Sequence, residues 1–123
     1  MMPRRKSPKK PFTIKVEQRP VVKGRPRLGR RGRVFTPERT LIAEEYIAEQ
    51  WRKERAPYYE TPVMLEATFT PTSTEITLTP LDEEHTSKLR GDTDNYLKLV
   101  CDALNGVAYP DDKAVMVIKG EKR

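Results

Sequence analysis

The stretch GDTDNYLKLVCDALNGVAYPDD, residues 91–112, constrains this chain more than any other. An aspartate opens a run of good helix formers and Asn105-Gly106 closes it, so both ends of a helix over about Asn95–Leu104 are marked. Leu97, Val100 or Cys101, and Leu104 give that helix an apolar stripe. The same stretch holds five aspartates, one lysine and no glutamate. Short carboxylates so close together repel each other, so the fold must either spread them or neutralise them.

Asp92 and Asp94 stand two apart at the start of the helix, and in an extended lead-in such residues project to one side. Asp94, Lys98 and Asp102 follow at i, i+4 and i+8, on one helix face. A ten-residue helix is about 15 Å long. Residues 107–112, nearly extended, span about 20 Å. The chain is therefore able to double back and set Asp112 beside Asp94. Three converging carboxylates without a counter-charge would have to take up protons. A divalent cation removes that cost. Other duties stay open: Asp94 as a helix N-cap, Asp102 as a surface partner of Lys98, and Asp111 as turn chemistry in Pro-Asp-Asp. A calcium loop of the EF-hand kind is excluded, because DTDNYL lacks an oxygen ligand and the glycine where that pattern needs them.

Composition narrows the metal. One cysteine, Cys101, excludes an internal disulfide and a cysteine-built zinc site, and His85 is the only histidine. All-oxygen donors favour Mg²⁺, with Mn²⁺ as a substitute, over zinc. Beside a phosphate-binding surface, such an ion equips a protein for phosphodiester hydrolysis: it acidifies a bound water and withdraws charge from the transition state. Lys98, one turn along, is placed to neutralise the same developing charge.

The phosphate-binding surface is suggested by how charge is distributed. Residues 1–34 carry thirteen Lys and Arg against one acid, Glu17, a net of +12; the rest carry eleven against seventeen, a net of −6. A polyanionic partner held by the front of the chain follows. Lys23, Arg25, Arg27, Arg30, Arg31 and Arg33 lie in VKGRPRLGRRGR and are the candidate DNA-binding residues, since arginine pairs phosphate oxygens bidentately. No apolar run reaches the roughly 18 residues a membrane span needs. The N-terminal MMPRRKSPKK has no apolar stretch behind it, which argues against a signal peptide. A cytoplasmic setting and no membrane partner are the expectation.

Residues 1–11 are expected to form a flexible basic arm, and 12–123 a single domain. Phe12, Ile14 and Val16 alternate as in a half-buried strand, and the glycine- and arginine-rich segment 21–35 suggests a loop or loose hairpin. Thr36 and Pro37 start a helix running to about Arg55, with Ile42, Tyr46 or Ile47, and Trp51 as its buried stripe. Val63, Leu65, Ala67 and Phe69 share one face of the clearest strand. EITLTP suggests a further short strand, residues 81–91 a loop, and AVMVIKG (114–120) a last strand. The order predicts an α+β fold, a small mixed β-sheet with two main helices packed on it.

GDTDNYLKLVCDALNG followed by YPDD also resembles the signature of the RusA-type Holliday junction resolvases, endodeoxyribonucleases common in phages and prophages. The family pattern D-x-D-N-x-x-K-x-x-x-D-A-L, then a short loop ending in D-D, is matched by Asp92, Asp94, Asn95, Lys98, Asp102, Ala103, Leu104, Asp111 and Asp112. KGRPRLGRRGRVFTPERT is similar to the arginine-rich N-terminal segment of many members, so the resemblance runs from about residue 12 to about 118. Gly91 stands where some members carry a basic residue, though Lys88 and Arg90 are close by. The resemblance implies a homodimer that binds four-way DNA junctions and makes paired symmetric nicks with Mg²⁺ or Mn²⁺. By position it makes Asp92, Asp94 and Asp112 the catalytic, metal-binding carboxylates and Lys98 the essential lysine. The rival expectation is a non-catalytic nucleic-acid-binding or phage DNA-packaging protein whose aspartates only cap helices.

Overall fold

The computed structural model describes residues 8–22, 27–28, 34–35 and 38–123. The chain divides into two compact units, residues 1–82 and 83–123.

The first unit is built on a three-stranded sheet. β1 (Phe12–Val16), β4 (Val63–Phe69) and β5 (Thr74–Pro80) lie in the order β1-β5-β4. Both pairings are antiparallel, with Ile14 opposite Ile76 and Ala67 opposite Ile76 from the other side. The sheet is therefore antiparallel rather than mixed. A tight hairpin joins β4 to β5, which leaves antiparallel pairing as the only choice. Its turn is closed by the Thr70 amide donating to Ser73 O at 2.9 Å and by the two hydroxyls meeting at 2.8 Å. A separate two-stranded antiparallel ribbon, β2 (Arg27–Leu28) with β3 (Val34–Phe35), bears out the loose hairpin expected over 21–35.

Helix α1 (Glu38–Lys53) packs on β1. The expected N-cap pair, Thr36 and Pro37, lies outside the described residues. The buried side of α1 is not the one its large residues suggested. Thr40 and Ala43 are buried, while Ile42 is 60% exposed and Tyr46 45%. Small side chains let the helix come close to the sheet, where Ile14 and Val16 are fully buried, and the large residues are displaced to the flanks. Trp51 keeps its expected role: its ring meets Phe12 edge-on at 5.7 Å and its indole donates to Pro57 O at 3.1 Å. Burying Ile14 and Val16 is worth about 1.5–3 kcal/mol each.

The helix ends in a Schellman motif. The amides of Arg55 and Ala56 donate to the carbonyls of Arg52 and Trp51, and Arg55 takes a left-handed backbone with φ 53°. Tyr59 then ties the chain back by donating to Lys10 O at 2.9 Å. Val63, Leu65, Ala67 and Phe69 do share a face of β4, as their alternation predicted, but Leu65 and Phe69 stay about two-thirds exposed.

The second unit holds helix α2 (Thr93–Leu104) and a 3-10 turn (Asp112–Ala114). The strand expected over 114–120 is absent, and residues 115–123 carry no regular structure. Alternation of β-branched residues is not sufficient for a strand, which exists only as a member of a ladder, and this segment makes side-chain rather than ladder contacts. Among the described residues, no helix is long and apolar enough to cross a membrane.

Candidate active site

Helix α2 starts two residues earlier than its apolar pattern suggested. Asp92 is the N-cap, in extended backbone, and its carboxylate makes no cap hydrogen bond. Asp94 is therefore not the cap but a residue of the first turn, where its charge suits the positive end of the helix. The early start also removes the extended lead-in that would have set Asp92 and Asp94 on one side. Within a helix, residues two apart do not face each other.

Asp94, Lys98 and Asp102 do share a face of the formed helix, and all three are exposed. Among the described residues, Lys98 makes no ion pair with either aspartate. Leu97 and Cys101, half-buried at i and i+4, are the inward side of α2, whereas Leu99 is 70% exposed and Val100 54%. Gly106 follows the C-cap Asn105 with φ 76°, the left-handed conformation that stops a helix, as the Asn-Gly pair predicted.

The return of the chain is tighter than its length allows. The Gly106 amide donates to Tyr109 O at 2.8 Å and Asn105 bridges to Tyr109, so the loop closes on itself instead of extending along the helix. The Tyr109 hydroxyl donates to Cys101 O at 3.1 Å. Partial burial first, then Cys101 and the Asp112 carboxylate, which also contact that hydroxyl, push its pKa up. The Asp112 carboxylate thus lies by the same Tyr109 hydroxyl that bonds Cys101, a residue of the second half of α2.

The convergence expected of Asp92, Asp94 and Asp112 is accordingly not formed. Among the described residues, no three His, Cys, Asp or Glu side chains are gathered so as to hold a metal ion. Asp112 differs from the other aspartates of the motif in one respect among the described residues. Its Oδ1 is buried and has no hydrogen-bond partner, a costly condition that a bound ion would relieve. Asp111 serves as turn chemistry: its carboxylate accepts from the Lys113 amide at 2.9 Å and caps the 3-10 turn.

Sequence patterns did not reveal what surrounds the start of α2. The Gly91 amide donates to the Tyr96 hydroxyl at 3.1 Å, and a Cβ at Gly91 would stand 3.0 Å from that ring. Lys122 donates to the Gly91 carbonyl at 3.0 Å, and Gly120 lies directly on Leu97. The contacts of Lys122 and Gly120 join residues too distant in sequence for spacing to suggest them. Of the candidate DNA-binding residues, Arg27 lies in β2, while Lys23, Arg25, Arg30, Arg31 and Arg33 fall outside the described residues.

The family model described as Endodeoxyribonuclease RusA matches residues 17–123. No curated protein and no solved structure matches the chain. The family match covers nearly the whole sequence and contains every position of the acidic motif from Asp92 to Asp112, and the chain therefore belongs to the RusA endodeoxyribonuclease family.

Proposed function

We propose that the protein is a Mg²⁺-dependent, structure-selective endonuclease that resolves four-way DNA junctions by paired symmetric nicks. The observation that carries this is family membership over a span that includes Asp92, Asp94, Lys98 and Asp112 in their motif order. The buried, unpartnered oxygen of Asp112 supports a cation at that residue. The ion, with Mn²⁺ as substitute, would be held by Asp112 together with Asp92 and Asp94, and when bound it supplies an activated water and stabilises charge on the phosphate.

Lys98 projects from the same helix face as Asp94 and is free of carboxylate partners among the described residues. It is placed to meet a phosphate that approaches this face. Lys23, Arg25, Arg27, Arg30, Arg31 and Arg33 supply sequence-independent affinity for the DNA backbone. A four-way junction presents equivalent strands, and a two-fold homodimer would present two equivalent sites to them. The protein then acts on DNA in the cytoplasm of a bacterial or phage-infected cell.

The deciding experiment is incubation with a synthetic four-way junction, with and without Mg²⁺. Paired nicks that need the metal are expected. Equal binding in Mg²⁺ and EDTA with no nicking in either would favour the non-catalytic binding protein instead.

A further inference from the structure

Three contacts tie residues Gly120–Arg123 to the segment that leads into α2, and a fourth ties them to α2 itself. The Lys122 ammonium donates to the Gly91 carbonyl at 3.0 Å, one residue before the N-cap Asp92. The Ser87 hydroxyl donates to Arg123 O at 3.0 Å. Glu121 bridges His85, at 3.6 Å, and Arg123, at 2.7 Å. Gly120 packs so tightly on Leu97 that an added Cβ would lie 2.7 Å from its side chain.

Both polar groups of the Gly91 peptide unit are thus taken, its amide by Tyr96 and its carbonyl by Lys122. Gly91 joins the loop 85–91 directly to the N-cap Asp92. A glycine here has no side chain of its own to fix it, so its position depends on what grips it from outside. Tyr96 grips it from α2 and Lys122 from the irregular segment 115–123.

We propose that Gly120 and Lys122 are positioning residues for cleavage: Gly120 seats the segment 120–123 on Leu97 of α2, Lys122 from that segment holds the Gly91 carbonyl, and as a clamp the two together fix the backbone from which the Asp92 carboxylate projects. The inference rests on the proposed endonuclease function. It differs from a phosphate-binding role for Lys122, because Gly120 carries no charge and has to give the same result.

The test compares wild type with Gly120→Ala, Lys122→Met and the double variant Leu97→Ala/Gly120→Ala, well below their melting temperatures. Cleavage of a bound four-way junction in a single turnover, junction Kd with its salt dependence, and amide exchange over 88–94 are measured. Gly120→Ala and Lys122→Met are each expected to slow cleavage at least about tenfold, since small displacements of reacting groups carry penalties of that order. Kd and its salt slope stay at wild-type values, and the 88–94 amides exchange faster. Removing the Leu97 side chain relieves the collision, so the double variant cleaves faster than Gly120→Ala alone.

Wild-type cleavage and exchange in Gly120→Ala would overturn the clamp. A Lys122→Met variant that instead binds more weakly with a shallower salt slope would reassign Lys122 to phosphate contact. If Gly120→Ala fails to fold, Lys122→Met decides alone. Wild-type protein that never nicks junctions would remove the endonuclease function, and the amide exchange would still report whether 120–123 holds the loop.

Discussion

Tyr109 donates its hydroxyl proton to the carbonyl oxygen of Cys101 at 3.1 Å, which fastens the loop carrying Asp112 to the second half of α2. Asp112 follows three residues after Tyr109 on that same loop.

Removal of this hydrogen bond has a pH signature. Burial raises the pKa of both Tyr109 and Tyr59, with Cys101 and Asp112 adding to the effect at Tyr109. In the unfolded chain tyrosine ionises at about pH 10. The unfolded state therefore loses these protons first, so the stability they contribute is complete below about pH 10 and is lost as pH rises through the folded values. Thermal melts should be steady up to about pH 9 and fall above 10. Tyr109→Phe should melt a few degrees lower at neutral pH and lose part of the alkaline fall. Superimposable wild-type and Tyr109→Phe curves would show the hydroxyl to be idle.

Asp112 separates stability from function. Its buried oxygen lacks a partner, so replacing the carboxylate with a neutral amide removes a cost that the metal-free protein bears. In chelator, Asp112→Asn should be as stable as wild type or more so, by about 1 kcal/mol. Saturating Mg²⁺ should raise the melting temperature of wild type and leave Asp112→Asn unmoved. Asp92→Asn, Asp94→Asn and Asp112→Asn should each abolish junction cleavage while binding persists, and Asp102→Asn should still cut. An equal Mg²⁺ shift in wild type and Asp112→Asn, or cleavage by any of the three inactive variants, would remove the metal assignment.

What the sequence made legible divides by range. Local signals held: alternation marked β1 and β4, Asn105-Gly106 stopped α2, and Pro-Asp-Asp marked a turn that Asp111 caps. Spacing put Asp94, Lys98 and Asp102 on one helix face because a helix fixes that relationship by itself. What failed depended on partners. Ile42 has the right period to be buried, but Thr40 and Ala43 allow the closer approach, and close packing rewards the smaller pair. Residues 114–120 have strand composition and no ladder to join. Reach alone let Asp112 arrive beside Asp94, yet among the described residues no three such side chains are gathered to hold a metal ion. An upper bound on distance says nothing of which contact intervenes.

Helix α1 carries a correctable strain. Arg55 sits at φ 53° in the left-handed region that its Cβ disfavours, at the position where Schellman motifs usually place glycine. Arg55 lies outside the acidic motif, and the motif needs only its amide, which donates to Arg52 O at 2.9 Å. Arg55→Gly should therefore stabilise the protein by about 0.5–1 kcal/mol, after the greater freedom of glycine in the unfolded chain is counted. Denaturant unfolding monitored at Trp51 would report it. Destabilisation by the same amount would mean that the arginine side chain holds something the backbone does not.

Binding to the DNA backbone leaves a mark in salt. Each phosphate neutralised by Lys or Arg releases counterions, so log K falls with log salt by about 0.9 per contact on duplex DNA. Residues 1–34 carry a net +12, with arginines at 25, 27, 30, 31 and 33. Replacing Arg30 and Arg31 together with glutamine should lower the slope by about 2 and weaken binding alike on junctions of different sequence. Fluorescence anisotropy with a labelled four-way junction across a salt series measures both. A slope that stays at the wild-type value after both replacements would move the phosphate contacts elsewhere on the chain, to lysines such as Lys88 beside the acidic motif or Lys98 within it.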